Sequence, residues 1–178
     1  MIRSDRLLYE LAPEGYGERY CEPVEQWLTR AQPYLPHFPE EVLEQWIYRH
    51  WKGVLCHWGW LDFRAMSFSK QYWSTERILS QVSSPYQDVV EKLARRMSNP
   101  LFQQSWLVQR MQSDGTWPVA PIILHCDGRF MTAEGRELNA PYHLLEGHHR
   151  LGYLTAMAAQ EINVLREHAL WVVKISVH

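Results

Sequence analysis

The sequence predicts an α+β fold: a small mixed sheet preceded by a helical, Trp-rich N-terminal region. Three observations predict it. Short apolar runs of strand length alternate with helical periodicity in the C-terminal half. Eight of the nine Trp lie before residue 118. Pro13, Gly15, Gly17, Pro23, Pro33, Pro36 and Pro39 punctuate the start of the chain, so only short helical pieces fit there. The 178 residues suit one compact domain with a helical extension, divided as 1–98 and 99–178.

Taken in order, Glu22 to Ala31 is a first helix candidate, with Pro23 in its opening turn. Pro39 to Trp51 is a better one. Glu40 and Glu41 suit its positive end, and Val42, Leu43, Trp46, Ile47 and His50 share a face. Gly53 to Trp60 is aromatic and receives no assignment. Thr75 to Val82 reads as a short helix, and Ser84 as the cap of a longer one over Pro85 to Met97. Asn99-Pro100 breaks the chain before a helix over Phe102 to Ser113, which Asp114-Gly115 ends. Val119 to His125 is a strand, and Asp127-Gly128 a turn. Tyr142 to Leu145 is a second strand, Gly147 opens a helix to about Gln160, and Leu170 to Val177 is the last strand.

Composition limits the function classes. Apolar residues at 46% and charged residues at 21% argue against intrinsic disorder. A net charge of -2 and a pI near 6.5 argue against coating nucleic acid through bulk charge. No apolar run has the length of a membrane span, and Met1 to Glu10 lacks a signal-peptide core. The three cysteines, Cys21, Cys56 and Cys126, are odd in number and widely spaced. A disulfide framework is therefore disfavoured, and a reducing cytoplasm is the expected compartment.

The informative stretch is Leu144-Leu145-Glu146-Gly147-His148-His149-Arg150. An apolar strand ends, glycine turns the chain, and a helix begins with polar donors. Helix-start N–H groups and a guanidinium then point at one place, the physics of a phosphate site. A merely polar, solvated first turn explains the same triplet about as well.

Motif order adds to this. The chain runs Asn99-Pro100, helix, Gly115 turn, Pro121-Ile122-Ile123 strand, second strand, Gly147-His148-His149-Arg150 helix, last strand. From Asn99 to His178 it resembles the ParB and sulfiredoxin superfamily. The resemblance implies a nucleoside triphosphate held at the Gly-x-x-Arg helix start, usually with Mg²⁺. His148 stands where sulfiredoxins carry their catalytic cysteine, so sulfinic-acid reduction is not expected. His148 and His149 replace an acid and an arginine of the partition proteins, and no helix-turn-helix follows. The chain also looks like the small Osa-type fertility-inhibition proteins of conjugative plasmids, which implies ATP hydrolysis and DNA cleavage.

On this reading Arg150 takes the β- or γ-phosphate, and the N–H groups of His148 and His149 close the cradle. His149 donates to phosphate or shuttles a proton; His148 packs inward. Glu146 holds Mg²⁺ or orients water, or else interacts with the dipole of the following helix. Asn99, with Gln103 and Gln104, matches the place where relatives line base or ribose. Glu134 and Glu137 are spare carboxylates. Trp46, Trp51, Trp58, Trp60 and Trp73 read first as core, and otherwise as stacking surface for bases or a protein partner.

Two alternatives belong to other classes. A metal-dependent His-Asn-His nuclease would use His148, His149, Asn163 and His168. A non-enzymatic inhibitor or immunity-like protein would bind a partner through the Trp-rich half, and would not depend on Arg150.

Overall fold

The computed structural model describes residues 4–84, 87–97, 99–128, 130–132 and 134–176. The expected helix start at Pro85 and Tyr86 and the strand end at Val177 lie outside the described residues. The fold is mixed α+β around a five-stranded sheet. It divides into two compact units, one of residues 1–68 with 174–178, the other of residues 69–173. Residues 69–98, grouped by sequence with the N-terminal region, therefore belong with the sheet.

In the first unit, α1 (Ser4–Glu10), α2 (Val24–Ala31), α3 (Glu40–Val42) and α4 (Trp51–Trp58) surround an aromatic core. The single helix expected over Pro39 to Trp51 is three pieces: α3, a π-helical stretch Leu43–Tyr48, and the start of α4. The previously unassigned Gly53 to Trp60 is largely α4. Trp27, Leu35, Val42, Leu43, Trp46, Ile47 and Phe63 are buried, and the Trp46 and Phe63 rings stack at 5.5 Å. Indole N–H groups need partners when buried. Trp27 Nε1 donates to the Leu11 carbonyl, and Trp51 Nε1 to the Leu8 carbonyl, both at 2.7 Å. Buried Glu22 pairs with Arg30 at 2.7 Å, which holds its carboxyl below the usual carboxylate range.

In the second unit the strands lie in the order β1-β5-β3-β4-β2, with β1 Met66–Ser74, β2 Val82–Ser83, β3 Ile122–His125, β4 Tyr142–Glu146 and β5 Glu167–Ile175. Residues 66–68 of β1 and 174–175 of β5 are counted in the first unit. β1 was not foreseen: Met66-Ser67-Phe68-Ser69-Lys70-Gln71-Tyr72 mixes polar and apolar residues without a clean alternation. β3 pairs antiparallel with β4, Ile123 opposite Leu144, and parallel with β5, Ile123 opposite Val172. The crossover from β4 to β5 is α9 (His148–Ala159). β2 pairs parallel with β4 through Val82 and Tyr142.

α5 (Thr75–Gln81), α6 (Gln87–Met97), α7 (Pro100–Gln103) and α8 (Trp106–Asp114) complete this unit. Ser74 caps α5 through Arg77 N–H, and Ser105 caps α8 through Val108 N–H, so each start follows its side-chain oxygen. Ser105 splits the one helix expected over Phe102 to Ser113. Gly115, at φ 68°, ends α8 as anticipated. Ile78, Val90, Leu93, Met97, Val108, Met111, Ile123, Leu144, Leu151, Leu154, Met157 and Val172 form one buried cluster.

Most tryptophans are core, as their size predicts. Trp27, Trp46, Trp58, Trp73 and Trp117 are buried, whereas Trp106 is exposed. No described helix is long and apolar enough to cross a membrane.

Candidate functional site

β4 delivers Glu146 to the end of the sheet, and Gly147 reverses the chain into α9. Gly147 has φ 112°, a region that L side chains rarely adopt for steric reasons. A Cβ there would lie 2.6 Å from Pro121 Cβ. The turn is therefore seated directly on the residue that precedes β3. The N-cap of α9 is Gly147, which has no side chain to cap with, and the Leu151 N–H donates to the Gly147 carbonyl at 2.9 Å. The N–H groups of His148, His149 and Arg150 form the helix's first turn, at the positive end of its dipole.

Arg150 turns back toward the sheet rather than outward. Its Nη1 donates to the Val119 carbonyl at 2.9 Å, and its Nη2 to the Glu146 carboxylate. The two side chains keep only 9% and 14% of their exposure. One charge-assisted pair thus ties the end of β4, the first turn of α9 and the segment before β3. Sequence reasoning missed the pair and the Val119 carbonyl. The four-residue spacing of Glu146 and Arg150 was the available signal, since that spacing brings opposite charges together in helical geometry.

His149 is exposed, its ring edge-on to buried Tyr153 at 6.1 Å. His148 is half-buried, with its Nε2 inside the protein, as an inward-packing residue requires. Beneath them His143, in β4, is buried and accepts the Asn139 N–H at Nδ1, 3.1 Å. Burial above all, then the neighbouring His148, pushes the His143 pKa down to about 4. Its ring is accordingly neutral at pH 7, with the proton on Nε2.

The remaining candidates divide. Asn99 caps α7, its Oδ1 accepting Leu101 N–H at 3.0 Å, with Gln103 and Gln104 exposed at the helix's far end. Glu134 and Glu137 are exposed in the segment between β3 and β4. His168 is buried in β5, with Nδ1 2.7 Å from Thr116 Oγ1 and Nε2 2.9 Å from Thr75 Oγ1. Because the Thr75 hydroxyl donates to the Leu165 carbonyl, it accepts from Nε2–H, and Thr116 donates to Nδ1. Both His168 nitrogens are thereby used in joining β5, α5 and the α8–β3 turn, which leaves no lone pair for the metal of a His-Asn-His site. Among the described residues no group of three or more His, Cys, Asp or Glu is placed to hold a metal ion.

Comparisons with protein-family models, with curated proteins and with solved structures found no match.

Proposed function

We propose that this chain binds a nucleoside triphosphate together with Mg²⁺ at the Gly147 turn and hydrolyses it. The observation that carries the reading is the Gly147 turn from β4 into the start of α9. After a turn that favours glycine, Glu146 and Arg150 meet there, four residues apart. Backbone N–H groups and a guanidinium suit phosphate oxygens, and a carboxylate suits the cation that accompanies them. The resemblance of Asn99 to His178 to ParB and sulfiredoxin proteins supports the same choice.

The donor set fits Mg²⁺ in one way. Mg²⁺ is commonly bound by one or two carboxylates plus ligand phosphates, and Glu146 is the carboxylate at the turn. When bound, the ion neutralises charge that develops on the transferred phosphoryl group. Within the chain, Arg150 and the helix-start N–H groups orient the phosphate tail, and exposed His149 is the proton carrier. ATP as the nucleotide, DNA cleavage beside hydrolysis, and a setting in plasmid-transfer inhibition follow from the Osa-type resemblance.

The test is thermal-shift titration with ATP, CTP and GTP, each with Mg²⁺, on wild type, Arg150→Lys and Arg150→Ala. A site filled to 100 times Kd stabilises a fold by about 2.7 kcal/mol. The expected result is a shift for wild type, reduced in Arg150→Lys and lost in Arg150→Ala. No shift with any nucleotide refutes the reading.

One observation favours the protein-binding alternative. Leu101 is 83% and Trp106 66% exposed, five positions apart across α7 and α8. Tryptophan in particular serves as an anchor in protein interfaces. The contact would then lie in the sheet unit rather than on the N-terminal tryptophans. That reading requires Trp106→Ala, and not Arg150→Ala, to abolish the biological effect.

A further inference from the structure

We propose that the face formed by Leu101, Phe102 and Trp106 receives an acidic, apolar peptide segment of a partner protein, with Lys92 and Arg96 meeting its carboxylates. The inference rests on the protein-binding reading of Leu101 and Trp106, and adds the chemistry of the segment that covers them.

These residues lie together on the sheet unit. Lys92 and Arg96 are four apart in α6 and so share a face of that helix. The Arg96 guanidinium lies 5.2 Å from the Phe102 ring centroid, which joins that face to α7. The Arg96 charge also reaches the Tyr153 hydroxyl, which hydrogen-bonds to Ser105, the residue before Trp106. Trp106 and Arg110 are again four apart, on α8. Leu101 and Trp106 are exposed, so apolar surface stands open beside a basic row.

The charge of this surface selects the partner. From Lys92 to Ser113 the chain holds Lys92, Arg95, Arg96 and Arg110 but no Asp or Glu, although its net charge is -2. Arg95 pairs with Glu91 at 3.7 Å, and Arg110 with Asp114 at 2.7 Å. Among the described residues Lys92 and Arg96 have no such counter-ion. Carboxylates of a partner match that surplus, and complementary charge gives an interface its specificity. Two uncompensated charges supply little of the phosphate neutralisation on which nucleic-acid binding depends. Leu101 offers no flat ring on which a base could stack. Exposed Gln103 and Gln104 lie between Leu101 and Trp106 in the chain. A lipid surface that took in the two apolar residues would strip water from those amides, whereas a peptide backbone gives them hydrogen-bond partners.

The experiment selects a phage-displayed random peptide library on the immobilised full chain, then measures the synthesised consensus peptide by fluorescence anisotropy. Enriched peptides should carry Asp or Glu beside Leu, Phe or Trp. Leu101→Ser combined with Trp106→Ser should weaken binding of the consensus about thirtyfold or more. Lys92→Glu combined with Arg96→Glu should weaken it about tenfold, and wild-type binding should weaken as salt rises. Both pairs replace exposed residues, and either pair decides the matter if the other lowers the urea midpoint. Neutral or basic peptides that require Leu101 and Trp106 overturn the acidic partner and leave the protein-binding face standing. Enrichment of no peptide, or of peptides indifferent to both pairs, overturns the face as well. Oligothymidylate or phosphatidylserine vesicles bound through Leu101 and Trp106 in place of peptide assign the face to nucleic acid or membrane and overturn the proposal.

Discussion

The Cβ that Gly152 lacks would stand 2.8 Å from Leu93 Cβ and 2.8 Å from the Val90 carbonyl oxygen. At this point α9 and α6 approach as closely as a bare backbone allows. Gly152→Ala recovers about 1 kcal/mol of helix propensity but overpacks a rigid contact, which typically costs about 1–3 kcal/mol. The expected result is a lower urea midpoint with an unchanged denaturant slope. A variant more stable than wild type would show that α6 and α9 are not packed this closely.

Gly147→Ala meets two obstacles. The residue would have to hold φ 112°, and its Cβ would press on Pro121. Sparsely populated backbone conformations cost on the order of 1–3 kcal/mol before any clash is added. The loss in urea stability should therefore exceed that of Gly152→Ala. Pro121→Gly removes the opposing Cβ and should recover part of it in a double-mutant cycle, whereas purely additive losses would leave the contact without energetic weight.

Acid sensitivity is the third expectation. The His143 pKa falls to about 4 in the fold, chiefly through burial, from an ordinary 6.5. Above pH 6.5 the ring is neutral in both states and contributes no pH dependence. As pH falls toward about 4 the unfolded ring takes a proton that the folded ring refuses, so stability declines. The difference amounts to about 3 kcal/mol, and it stops growing below the folded pKa. Burial lowers the pKa of His168 in the same direction, so its contribution to stability also declines as pH falls below 6.5. His143→Phe should flatten the urea stability profile between pH 4 and 6.5 relative to wild type. An unchanged slope would place the acid sensitivity elsewhere.

These three positions also mark how far the sequence could be read. Gly147, its turn and the helix after it were legible because a strand-length apolar run ends in glycine beside a polar triplet. Leu144 and Ile123 were legible as core for the same reason. β1 was not, since its inward and outward residues do not alternate cleanly. Neither were the π-helical stretch Leu43–Tyr48 and the split at Ser105, because periodicity shows a helix without showing where its register shifts. The candidate site was legible in its parts and not in its wiring. Arg150 was read as a donor to phosphate, but the Val119 carbonyl that holds it lies 31 positions earlier. Local spacing carries no record of such a partner. Glu146 shows the complementary case: its spacing to Arg150 was visible, and only burial shows that the pair is closed.

The last expectation concerns the cysteines, whose burial separates them. Cys21 and Cys56 are exposed, while Cys126 is buried at the end of β3. Burial first, and the charge of Asp127 second, push the Cys126 thiol up to about 12. Thiolate is the reactive form, so at pH 8 only about one Cys126 in 10⁴ is ready to react, even before access is considered. Access is limited too. The Cys126 N–H donates to the Pro141 carbonyl at 2.8 Å, and Leu138 is buried in the same returning segment. Labelling native protein with a maleimide, with positions assigned by mass spectrometry, should mark Cys21 and Cys56 rapidly. Cys126 should follow only with the opening of residues 126–141, and its rate should rise with urea below the global unfolding transition. Labelling of Cys126 as fast as Cys56 in native buffer would mean that this segment does not cover β3. The neutral, buried setting of His143, which the Asn139 N–H of that segment completes, would fall with it.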